Sequence, residues 1–260
     1  DVIKHSSHGG VAALVVEPPD TWHTLVDNRP TVADVCKAPA TPGDRCTPRH
    51  RNFLFRDFVV VYHDDLALHR GGAPLPNNME ADDAEDTGHK GFNYRSDPLW
   101  ARLLGGAQGG GDPGIDPGDL AKLEMSKVLA GEPEGPLFEA PAGIPVRFRV
   151  LHPSGHARQH AFTLFGHLWQ EEPWRQASAS MGESLYSAWT GVVNGIGPVR
   201  HVNIVTRAGG TYCVPGDYLM RTQESFSFQG GAWGIFRVGP RDPQAKGTQC
   251  AVAPVTKAGK

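Results

Sequence analysis

The chain has 260 residues, a net charge of −3 and 39% hydrophobic residues, which is enough for one or two domains with a real core. This balance provides no basic patch for nucleic acid, and no apolar run approaches the ~18 residues of a membrane span. The 32 Gly and 22 Pro, set among short alternating runs, argue for many turns and an all-β architecture. No signal peptide is visible, and the chain begins at Asp1, as a mature or cleaved product would.

His5-Ser6-Ser7-His8-Gly9-Gly10 reads as a turn, and Val11 to Val16 as a buried apolar strand closed by Pro18 and Pro19. Such a strand by itself would leave unpaired backbone groups and exposed side chains. Residues 1–18 are therefore expected to complete the sheet of a neighbouring polypeptide, with an edge strand on the chain's own sheet as the alternative. The following stretch is rich in Pro, Asp and Thr and shows no periodicity, as a linker would. Phe53, Phe55 and Phe58 to Tyr62 then form the first strand of the main domain. His63-Asp64-Asp65 at its end either binds a divalent ion or makes an Asx-capped turn, and the turn is the expectation.

The acidic run Glu80, Asp82, Asp83, Glu85 and Asp86 fails the EF-hand spacing and reads as a solvated loop. Such a patch would also raise the local concentration of Mn²⁺ or Fe²⁺. Leu99 to Leu104 and Leu120 to Leu129 have the spacing of short helices. Two strands follow between Pro136 and Val150, the second alternating Val146, Phe148 and Val150 with Arg147 and Arg149. Four histidines come next, His152, His156, His160 and His167, the last two on an alternating strand. Imidazole is the commonest side-chain metal ligand, so these residues either bind copper or zinc or cap turns and fill polar gaps. The span Arg175 to Pro198 is long and polar. Arg200 to Thr206, Thr211 to Met220 and Trp233 to Val238 complete the strands, and the tail from Gly239 is expected to be poorly ordered except near Cys250. His201 is a possible ligand or a structural strand-end residue. The four cysteines form no C-x-x-C motif. Cys36 and Cys46 flank a Pro-rich loop, and Cys213 and Cys250 stand where they would tie the tail to the last sheet. Disulfides in an oxidising compartment and four buried thiols are both open readings.

The segment His160 to His167 resembles the H-P-F-H-L-H-G-H strand of multicopper oxidases, which are built from cupredoxin domains. On that motif His160 falls at the type 1 copper histidine, Thr163 and Phe165 at two trinuclear-cluster histidines, and His167 at the closing histidine. The second half of the family signature, H-C-H-x-x-x-H-x-x-x-x-M, falls on Arg221, Thr222 and Gln223, then Ser227 and Ala232. A type 1 site needs a cysteine thiolate with two histidines, and these positions supply none. The phrases GDYL-R, G-WG-FRV, HPSGHARQHAF and FNYRS are most similar to large multi-domain oxidases related to manganese oxidases, over roughly Ser6 to Val238. The turn and apolar strand at the start resemble the end of a preceding domain in that family. There a ligand histidine precedes the Gly turn, which corresponds here to His8 or His5.

The resemblance implies a cupredoxin-like Greek-key barrel or sandwich with long loops and one or two short helices. It divides the chain into a terminal strand of a preceding domain (1–22), a linker (23–46), a copper-depleted cupredoxin domain (47–240) and a tail (241–260). It implies part of an oxidase that takes electrons from a metal ion or phenol and reduces O₂ to water, with a non-catalytic scaffold subunit as the alternative. Copper would sit at a site shared with another polypeptide, with His8 or His5 as ligand, and not as type 1 copper at His160. The setting would be secreted or periplasmic, which favours disulfides Cys36–Cys46 and Cys213–Cys250.

Overall fold

The strand Phe53–His63 (β3) is the spine of the first sheet. Its Phe58, Val60 and Tyr62 are fully buried, as the period-2 geometry of a strand over a core requires. On one side it pairs antiparallel with Val32–Lys37 (β2), which pairs in turn with Thr21–Leu25 (β1). On the other side it pairs in parallel with Pro145–His152 (β8), which pairs antiparallel with Arg200–Arg207 (β13). The short Gly91–Phe92 (β6) joins the end of β3. Two short ribbons lie outside the main sheets: His69–Arg70 (β4) with Ala73–Pro74 (β5), and Trp169–Gln170 (β10) with Trp189–Thr190 (β11).

The second sheet has the order Val192–Ile196 (β12), His160–Leu164 (β9), Gly216–Thr222 (β14), Trp233–Gly239 (β15) and Leu137–Pro141 (β7). Its pairings are antiparallel except β15 with β7. The two sheets stack as an open sandwich and do not close into a barrel. One helix, Ser225–Gln229 (α1), and a 3₁₀ turn, Val26–Asn28, are the helical elements among the described residues. This computed structural model describes residue 5 and residues 10–77, 86–99, 101, 132–153, 155, 159–175, 178 and 181–251. The acidic run up to Glu85, His8, His156 and most of the two expected helices lie outside them.

The core is aromatic. Phe148 of β8 stacks on Phe58 at 5.0 Å and meets Phe236 of β15 edge-on at 5.2 Å, with Phe138 and Phe162 also in ring contact. These rings join the two sheets. A second cluster of Leu99, Phe228, Trp233 and Ile235 covers the outer face of the second sheet.

The stretch expected as a linker carries β1 and β2, so it belongs to the first sheet. Its period was hidden for two physical reasons. Asp34, Val35 and Cys36 are all buried, so both faces of the strand are covered and no alternation shows, and Asp34 is buried because Arg56 grips it through two hydrogen bonds of 2.7 and 2.9 Å. The span after Trp174 likewise contains β11 and β12. Both cysteine pairs are disulfides, Cys36–Cys46 and Cys213–Cys250, which suits an oxidising compartment. No helix among the described residues is long and apolar enough to cross a membrane.

Val11 to Val16 is not a strand of this fold. Among the described residues, positions 11–17 make no backbone hydrogen bond, and Leu14 and Val16 are 90% and 73% exposed. Glu17 holds the segment against the outer face of the first sheet through Arg149 at 3.1 Å and Arg147 at 3.5 Å. Burial and the neighbouring Glu17 carboxyl push Asp57, which shares Arg149 at 2.7 Å, up to about 7.

Candidate metal centre

The parallel pairing of β3 and β8 brings their C-terminal ends to the same edge of the sheet, with Val61 beside Leu151. Asp64 follows the last residue of β3, and His152 is the last residue of β8. β9 crosses the sandwich from the opposite sheet and begins there with His160. Asp64, His152 and His160 are all buried, and their ligating atoms lie within 4.8 Å of one another.

Asp64 Oδ2 lies 3.3 Å from His152 Nε2, and Asp64 Oδ1 lies 3.2 Å from His160 Nε2. The two imidazoles meet edge to face at 4.7 Å, and Tyr62 stacks on His160 at 4.5 Å. His152 Nδ1 lies 3.1 Å from the Ile196 carbonyl, and His160 Nδ1 lies 3.8 Å from Glu224. Burial alone would lower the basicity of His160, but the Asp64 and Glu224 carboxylates outweigh it and raise the group to about 9. Burial likewise works against the Asp64 anion, yet hydrogen bonds from His152 and His160 hold its carboxyl well below the usual range.

Beside this cluster is a buried lysine. Lys90 Nζ, fully enclosed, binds both oxygens of Asp86 at 2.9 Å and lies 3.5 Å from Asp64 and 3.8 Å from Asp65. Burial and a hydrogen bond shared with Asp86 push Asp65 up to about 8. Gly155 packs over Asp64 at φ +146°, and a methyl group there would collide with the carboxylate.

The positions that the oxidase motifs give to copper ligands are brought together, but with other chemistry. Thr222, at the cysteine position, is buried and bonds to Glu224. Ala232, at the methionine position, accepts the Thr222 N–H through its carbonyl at 3.1 Å. Thr163, at a trinuclear-cluster histidine position, and Arg221, at the first histidine of H-C-H, are direct cross-strand partners, and Gln223 bonds to Thr163 at 2.7 Å. The Arg221 guanidinium stacks on Phe228. His167 is used structurally: its ring bonds to the Phe165 carbonyl and accepts the Gly209 N–H.

His5 is exposed, and its carbonyl accepts the Gly10 N–H. His8 lies outside the described residues. His201 is exposed beside the groove between residues 13–19 and the first sheet, and takes no part in the cluster. The sequence flagged His152 and His160 as histidines of interest but gave Asp64 to a turn. The signal was the H-D-D ending an apolar strand, and only the parallel register reveals that this end meets His152. Nothing local in Gly88-His89-Lys90-Gly91 marks Lys90 as a buried cation.

No protein-family model matches the chain, and no curated protein matches it. Solved structures with a similar fold include a multicopper oxidase, 10% identical with a TM-score of 0.37, over 80% of this chain and 56% of that one. A copper-containing nitrite reductase from Thermus scotoductus SA-01 is 16% identical with a TM-score of 0.37, over 72% of this chain and 32% of that one. A blue copper oxidase from Nitrosomonas europaea is 12% identical with a TM-score of 0.38, over 71% of this chain and 44% of that one. The chain thus spans about half or less of the length of these structures.

Proposed function

We propose that this chain is a cupredoxin-type domain of a larger multicopper oxidase-like protein, secreted or periplasmic, and that it carries no type 1 copper of its own. One observation carries the reading. The two segments that resemble the oxidase copper motifs meet on paired strands, β9 and β14, yet Thr222, Ala232, Thr163, Arg221 and Gln223 stand at the motifs' donor positions. A type 1 centre needs a thiolate, and all four cysteines are tied in disulfides. Oxidation of a metal ion or phenol, and reduction of O₂ to water, then belong to copper held by other domains.

Residues 1–22 are read as the terminal strand of a preceding cupredoxin domain. The largely exposed run at 11–17 supports this, because among the described residues its backbone makes no hydrogen bond and could extend another sheet. His8 or His5, on the turn before it, would contribute imidazole to a copper whose cysteine and other histidine come from the neighbouring polypeptide. A second reading, a non-catalytic scaffold subunit, is favoured by the ion network packed around His160. Thiolate-bound copper in the native assembly, read by its intense visible absorption, separates the two.

The purified chain titrated with Cu²⁺ is expected to develop no intense copper–thiolate absorption and to consume no O₂ with phenol or Fe²⁺. An intense charge-transfer band, or turnover by this chain alone, overturns the reading.

A further inference from the structure

We propose that Asp64, His152 and His160 bind one divalent transition cation of the zinc or copper(II) class, through a carboxylate and two imidazole nitrogens. The argument rests on the geometry of the cluster and is independent of where oxidase chemistry resides.

The spacing fits. A tetrahedral ion with metal–ligand bonds of about 2.0–2.1 Å needs ligand atoms about 3.3–3.4 Å apart. Asp64 Oδ2 lies 3.3 Å from the Nε2 atom of each imidazole, and the three ligating atoms all lie within 4.8 Å of one another.

The orientation fits as well. Each imidazole turns Nε2 inward and Nδ1 outward: His152 Nδ1 reaches the Ile196 carbonyl at 3.1 Å, and His160 Nδ1 faces the Glu224 carboxylate at an ion-pair distance of 3.8 Å. A carbonyl oxygen only accepts, so His152 Nδ1 carries its hydrogen. The Nε2 lone pair then faces the Asp64 carboxylate, and two acceptors this close require a positive charge between them. A second proton or a metal ion meets that need. Outer acceptors that fix the tautomer of inward-facing histidines are the usual support of a metal site.

The surroundings are built to match. Asp64 Oδ1 is enclosed and, among the described residues, has only the ion-pair contacts to His160 at 3.2 Å and Lys90 at 3.5 Å. Lys90 is engaged by Asp86 at 2.9 Å and stands farther from Asp64, at 3.5 Å, so it does not fill the space between the imidazoles. Gly155 keeps the Asp64 carboxylate free of a side chain that would displace it. Three protein ligands leave a fourth position for water.

The test is calorimetric titration of the full chain, freed of metal by a chelator, with Zn²⁺. One equivalent is expected to bind saturably, with affinity reduced at least about 100-fold in His152→Ala and about 10-fold or more in Gly155→Ala, in line with loss of a ligand and of a supporting contact. If His152→Ala does not fold, Co²⁺ added to the unaltered chain decides. Intense visible bands of tetrahedral cobalt are expected, whereas only the weak spectrum of octahedral, water-ligated cobalt contradicts the proposal. No saturable Zn²⁺ binding, or equal binding by folded His152→Ala and Gly155→Ala, also overturns it, because binding would then lie at exposed histidines or nowhere.

Discussion

Replacing Asp64 by alanine is expected to destabilise the metal-free chain by about 3–5 kcal/mol, the range for removing one partner of a buried ion pair. Asp64 faces His160, which is raised to about 9 and so carries charge at neutral pH, and it also faces the enclosed Lys90. Without the carboxylate, His160 must lose its proton or retain a poorly compensated charge in a buried site. Asp64→Asn keeps the shape and a hydrogen-bonding group, so it should cost less than alanine. Urea unfolding at pH 7 reads both. A loss below about 1 kcal/mol for Asp64→Ala, the range of exposed pairs, would show that the cluster is solvated and does not hold the fold.

Phe148→Ala is expected to cost about 3–5 kcal/mol, the range for emptying a large aromatic site in a core. Phe148 is fully buried and touches the rings of Phe58, Phe138, Phe162 and Phe236, so it contacts both sheets. The cavity would fall between rigid sheets that cannot easily collapse into it. Phe148→Leu retains most of the volume and should lose clearly less. If the two substitutions shift the urea midpoint equally, the ring contacts do not join the sandwich in the way described.

Strands with one buried face were legible in the sequence because their alternation is simple. Val146, Phe148 and Val150 against Arg147 and Arg149 read as β8, and Phe53 to Tyr62 read as β3. β2 was not legible, because a polar Asp34 is buried by its pairing with Arg56, a residue 22 positions away. No local pattern reports such a partner. The expectation of a strand at Val11 to Val16 rested on its apolar content. Strand formation also needs a pairing partner, and among the described residues this chain supplies none there.

The candidate site divides the same way. His152 and His160 stand out because histidine is chemically distinctive and clusters in this segment. Asp64 and Lys90 do not, because a carboxylate beside a turn and a lysine in a loop are ordinarily solvent-facing. They become functional candidates only when parallel β3 and β8 end together and β9 enters above them. Motif comparison placed no thiolate beside His160. It could not say what replaces the thiolate, since Asp64 lies 96 residues away in sequence.

Electron paramagnetic resonance of the full chain loaded with one equivalent of Cu²⁺ tests the central claim most directly. The account predicts the wide copper hyperfine pattern of nitrogen and oxygen ligation, with no accompanying copper–thiolate absorption, and loss of that signal in His160→Ala. A narrow hyperfine pattern with intense visible absorption, the signature of a thiolate-bound blue copper centre, would contradict it.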